Sequence, residues 1–186
     1  MREMKSVGQS LALTATVWCG LAVVPAAHVT QATSADPCAL LPVTAVRRLY
    51  ADAQAGVPDL SLARQGIVRC TWKHGVGTLF LITGPDAGDT PADEAESWAL
   101  TIVDPLRSDA ARHVRYEPVS GVGDAAVAVV ERRDPGKGFI QDGAYIAVRR
   151  GASLVSLLAP DLARGDRAEA LRRLRQLGQA LVVPRP

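Results

Sequence analysis

Residues 125–159 read AAVAVVERRDPGKGFIQDGAYIAVRRGASLVSLLA, and this stretch decides the fold. Apolar runs at 125–132, 139–149 and 152–159 are separated by Asp134-Pro135-Gly136-Lys137-Gly138 and by Arg150-Gly151. Runs of this length bounded by Gly, Pro and Asp read as strands. Turns this short force consecutive strands to run antiparallel, because a parallel return needs a long crossover.

Working outward, residues 114–118 predict a short strand and 120–123 a glycine loop. Residues 67–73 (IVRCTWK) alternate, with Val68, Cys70 and Trp72 on the better core face. His74-Gly75-Val76-Gly77 then turns the chain into 78–83 (TLFLIT), a second hairpin. Residues 54–66 (QAGVPDLSLARQG) read as a loop.

Three helices are expected. Asp36-Pro37 pairs a capping acid with proline at the first helical position, and leads through 38–41 into a helix over 42–53. Thr90-Pro91 followed by Asp93 and Glu94 starts the second, with Ala95, Trp98, Ile102 and Leu106 on its apolar face. It ends or kinks before Pro105. The last runs from Asp166 to about Leu181 on a stripe of Leu171, Leu174, Leu177, Gly178 and Leu181. The order is α-β-β-α-β-β-β-β-α. It predicts an α+β fold, a curved antiparallel sheet of five or six strands with helices packed on one face.

The N-terminus has a different character. Arg2 and Lys5 precede an apolar run at 11–24 (LALTATVWCGLAVV), which Pro25 breaks and small residues follow. These are the parts of a secretory signal peptide, and the run is shorter than the roughly 20 residues a membrane span needs. The expectation is a signal peptide and linker over 1–35 and a single exported domain over 36–186, secreted or periplasmic after cleavage. Membrane association follows only if the signal stays uncleaved. A lipid anchor on Cys19 is disfavoured, because Trp18 stands where lipoprotein signals carry a small residue.

This cut changes the counts. Arg2, Lys5 and Glu3 leave with the segment, so 21 basic and 19 acidic residues become 19 and 18. A near-neutral domain with 4% aromatic residues excludes an obligate nucleic-acid binder. Cys19 leaves too, and Cys38 and Cys70 remain. An even count in an oxidising compartment predicts one disulfide, tying the start of the first helix to the first long strand.

Candidate chemistry is sparse. Ser120 and Asp124 flank a glycine loop, with only His74 and His113 as possible bases. Gly121, Gly123 and Ala126 match G-x-G-x-x-A, but a β-rich run follows instead of a helix. Asp86, Asp89, Asp93 and Glu94 lack the alternating spacing of a calcium loop and read as turn and capping acids. Glu117, Asp124 and Glu131 are sheet carboxylates of unspecified separation. The sequence therefore assigns no catalytic residue, no cofactor and no metal ligand. Arg132, Arg133, Arg149 and Arg150 are placed at neighbouring strand ends, a candidate surface for an anionic partner that Arg167, Arg172, Arg173 and Arg175 extend. Interleaved Glu131, Asp134, Asp142, Asp166 and Glu169 give the competing reading, a mixed solvated face.

Four segments together carry a resemblance. They are Asp36-Pro37-Cys38-Ala39-Leu40-Leu41, Arg69-Cys70-Thr71-Trp72, Val119-Ser120-Gly121-Val122-Gly123-Asp124-Ala125-Ala126, and the strand-turn-strand about Arg149-Arg150-Gly151. They resemble small bacterial exported proteins, many of them lipoproteins, most of whose domains have no assigned function. The resemblance covers about residues 36–181. It implies an exported α+β domain with one disulfide and supplies no catalytic residues. The expected function is a non-catalytic exported domain that binds an envelope protein or a small ligand. A hydrolase using Ser120 or the sheet carboxylates, and a purely structural envelope protein, are the alternatives.

Overall fold

The run Gly143–Val148 is buried at every position, so the middle of the sheet has no solvent face. This emerges from a computed structural model that describes residues 36–75, 77–84, 90–107 and 109–182. The expected signal segment, Cys19, Asp86 and Asp89 lie outside the described residues.

Seven strands form one sheet: β1 (Val57–Asp59), β2 (Val68–His74), β3 (Gly77–Thr83), β4 (Tyr116–Pro118), β5 (Ala125–Glu131), β6 (Gly143–Arg150) and β7 (Ser153–Leu158). The spatial order is β1-β2-β3-β7-β6-β5-β4, and every pair is antiparallel. Two meanders, β1–β3 and β4–β7, join where β3 meets β7, from Phe80↔Leu158 to Thr83↔Val155. The α+β class and the antiparallel sheet are as the turns require. The strand count is not: β1 falls in the segment read as a loop. It is three residues long and contains Pro58, which lacks a ladder donor and suits only an edge.

The helices are α1 (Val43–Arg47), α2 (Pro91–Ala99) and α3 (Arg167–Gln179). They cover both faces of the sheet, which corrects the one-face expectation. On one face α3 packs over β5 and β6, and its Leu174 and Leu177 join Ala128, Ile146 and Val148. Val46 of α1, Trp72 and Leu81 complete that core. On the other face Ala95 and Ala99 of α2 meet Val129 and Tyr145, and the Tyr145 hydroxyl donates to the Ala95 carbonyl. The cause is the pleat: β5 and β6 are apolar at consecutive positions, so each face needs its own cover.

Local chemistry fixes the helix ends. Thr90 Oγ1 accepts the Asp93 N–H at 3.2 Å, and Asp93 returns the bond to the Thr90 N–H at 3.0 Å. Asp166 caps α3 by accepting the Glu169 N–H at 2.9 Å. The first helix is shorter than its expected span, and the 3-10 turn Pro37–Leu40 precedes it. β-branched Val43, Thr44 and Val46 lower its helical preference. Ile102 is buried as expected of the α2 face, but α2 stops at Ala99 and leaves Leu106 92% exposed.

Cys38 and Cys70 form a disulfide across 32 residues, joining the first turn to β2. Two glycines are also required. A Cβ at Gly178 would stand 2.7 Å from Val122 Cγ1, so glycine lets α3 sit close on the sheet. Gly123 has φ +58° and lies under the Arg149 carbonyl, where a Cβ would come within 2.3 Å of the oxygen.

Candidate functional site

Adjacent antiparallel strands finish at opposite ends of the sheet along the strand direction. Arg132 and Arg133 follow Glu131, which pairs with Gly143, whereas Arg149 pairs with Ala125 at the far end of β5. A seven-residue strand puts about 20 Å between them. The four arginines therefore do not form one surface, contrary to expectation. Arg150 is structural: its Nη1 donates to the Leu181 carbonyl at 2.7 Å, below the C-terminus of α3. Arg172 and Arg173 are both held by Glu169 at 2.6 Å. The bonds from Arg172 and then Arg173 hold the Glu169 carboxyl down at about 2.

The other pair belongs to a cluster. A groove of about 640 Å³ opens between the end of β5, the turn after it and the start of α3. Arg115, Arg132, Arg133, Lys137, Arg167 and His113 line it, against the carboxylates Glu131 and Asp134. Glu131 is its buried floor, with a side chain 8% exposed. It accepts the Arg115 N–H at 3.0 Å and lies 3.4 Å from Arg167 Nη1. Arg167 also reaches Glu117 at 3.1 Å and donates to the Val130 carbonyl. Lys137 sits 3.6 Å from Asp134. Arg132 and Arg133 are exposed, and neither guanidinium has a hydrogen bond or ion pair among the described residues. Arg115 comes from a distant position that only strand pairing brings to the groove, whereas Lys137 arrives on the turn that follows Arg133.

The turn carrying these groups is anchored. Asp142 accepts the Arg133 N–H at 3.0 Å and pairs with Arg164 Nε at 3.0 Å. Burial opposes ionisation there, but these two partners hold the Asp142 carboxyl below the ordinary range. Gly165 and Asp166, the α3 cap, follow the same Arg164 in sequence.

The remaining candidates separate. Ser120 lies by the Ala125 end of β5, and His113 lines the groove at the Glu131 end. His113 instead faces Asp109 at 3.8 Å. His74 is fully buried, stacked on Tyr50 with ring centroids 3.8 Å apart, and its Nε2 is 3.8 Å from Asp161 Oδ1. Neither His74 nitrogen has a hydrogen-bond partner, so Ser120 has no base there. Burial, and then the Asp161 carboxylate, push the Tyr50 phenol well above its usual value. This Tyr50–His74–Asp161 cluster was not anticipated. Its signal was the alternation, which puts His74 on the face of Cys70 and Trp72.

Of the sheet carboxylates, Glu117 and Glu131 converge on Arg167, while Asp124 accepts the Gly151 N–H at 2.6 Å at the opposite end. Gly121 and Gly123 open a strand and no helix. Asp93 is spent in its capping box, and no cluster with metal-ligand geometry occurs among the described residues. No helix among the described residues is long and apolar enough to cross a membrane. No family model, curated protein or solved structure matches the chain.

Proposed function

We propose that the protein is an exported, non-catalytic binding domain whose cationic groove takes an anionic partner. The observation that carries this is the Arg132–Arg133 pair, two exposed guanidiniums with no hydrogen bond or ion pair among the described residues, lining the groove with Arg115, Lys137 and Arg167. Arginine forks suit carboxylate and phosphate oxygens, and an unsatisfied fork on an anchored turn costs little to reorganise. The groove volume lies in the range of sites for small ligands and short peptide segments. The ligand class is thus a carboxylate- or phosphate-bearing molecule, or an acidic segment of an envelope protein. The disulfide supports an oxidising compartment. The test is calorimetric titration with a short oligoglutamate peptide and with inorganic pyrophosphate, comparing the wild type with Arg132→Ser/Arg133→Ser.

A further inference from the structure

A second pocket lies away from the groove, on the α2 face where β2, β3 and β7 run past the helix. Its volume is about 180 Å³, and Ile67, Ile82, Leu154 and the Trp98 indole form its walls. That space holds about six waters at ~30 Å³ each, which sets the size of an occupant. Arg69 and Glu94 line the same space.

Glu94 is only 3% exposed, on the first turn of α2. Its Oε1 accepts two donors, Trp98 Nε1–H at 2.8 Å and the Ser156 hydroxyl at 2.6 Å. Those bonds fix the carboxylate against the sheet. Its Oε2 is buried and has no donor, and the buried Arg69 Nε has no acceptor. A buried polar group without a partner is costly, and here the residues that carry an orphan acceptor and an orphan donor both line one small apolar pocket. Arg69 and Glu94 make no ion pair with each other among the described residues, so neither answers the other. A single occupant satisfies both if it carries a donor for Glu94, an acceptor for Arg69 and an apolar body for the isoleucines, Leu154 and Trp98.

We infer that this pocket is a binding site for a free α-amino acid with an aliphatic side chain. The ammonium group donates to Glu94 Oε2, the carboxylate accepts from Arg69 Nε–H, and the side chain lies among Ile67, Ile82 and Leu154. Charge-assisted bonds at both ends discriminate against molecules that carry only one of the two groups.

The Trp98 indole N–H is a built-in reporter, because it is bonded to the carboxylate that would take the ligand. Its ¹⁵N–¹H resonance is followed during titration with leucine, with isoamylamine (ammonium only) and with isovalerate (carboxylate only). The expected result is a saturable shift with leucine and binding weaker by about tenfold or more for either partial analogue. The Trp72 indole, on the opposite face, stays in place. Glu94→Gln keeps the Oε1 contacts as an amide oxygen and abolishes the leucine response. Ile82→Phe fills the pocket from a half-buried wall position and does the same without touching either polar group. No Trp98 response to leucine at its solubility limit overturns the inference. So does an equal response to all three probes, or leucine binding that survives both substitutions.

Discussion

Arg167 Nη1 lies 3.4 Å from Glu131 Oε1, at the base of a groove that Arg115, Arg132, Arg133 and Lys137 also line. The pair links the start of α3 to the end of β5 and, through Glu117, to β4. Removing the arginine leaves the buried Glu131 with Arg115 as its remaining ion-pair partner. Arg167→Ala is expected to destabilise the fold by about 3 kcal/mol, the low end for a broken buried pair. Urea denaturation checks this. A change within experimental error would show that Arg115 and water suffice.

Gly178→Ala sets two effects against each other. Alanine improves helix propensity by about 1 kcal/mol. Its Cβ, however, would press 2.7 Å from Val122 Cγ1 and 3.3 Å from Ile146 Cδ1, and overpacking a core costs about 1–3 kcal/mol. The clash is expected to win, with a net loss of up to about 2 kcal/mol in the same denaturation assay. A stabilised variant would mean that α3 rides higher on the sheet than described.

The Cys38–Cys70 bridge closes a loop of 32 residues. Loop-closure entropy assigns it about 3–4 kcal/mol, so the Cys38→Ser/Cys70→Ser variant should lose that much. Alkylation under denaturing, non-reducing conditions, read by mass spectrometry, should leave both cysteines unlabelled. Label on both contradicts the bridge.

Glu169 offers a pH test. The bonds from Arg172 and Arg173 lower its carboxyl from the ordinary 4.5 to about 2. A carboxylate depressed in the folded state adds stability above its unfolded value, and this is lost as pH falls from about 4.5 through about 2. Carbon-detected NMR titration should find its midpoint near the lower value. Arg172→Ala/Arg173→Ala should return it to the ordinary one. An unshifted wild-type midpoint would show that the solvent-exposed pairs do not persist.

Much of the fold was legible because its signals are local. The Pro- and Gly-bearing turns of 134–138 and 150–151 dictate the meander, and Thr90 with Asp93 spells its own capping box. The coverage of both faces was present in GAYIAV, an apolar run with no alternation, but β6 was read only as a strand. β1 was missed because three residues with a proline carry no period. The site was legible by half. Doublets of arginine are visible in sequence, but which end of the sheet each occupies depends on register. Arg115 joins Arg132 only through strand pairing and Arg167 only through helix packing, both across long separations, whereas Lys137 comes with the turn that follows β5. Buried Glu94 looked like one more first-turn acid, since capping and packing use the same residue type at the same helix end.

The most direct measurement of the central claim is the affinity of the groove for an anionic ligand, taken by calorimetry with oligoglutamate and pyrophosphate at low and high salt. The account predicts salt-sensitive binding by the wild type that Arg132→Ser/Arg133→Ser weakens by about tenfold or more. Arg48→Ser/Arg64→Ser, which removes the same charge from exposed positions elsewhere, should leave it within about twofold. Equal losses in the two double variants, or no binding of either anion by the wild type, would contradict it.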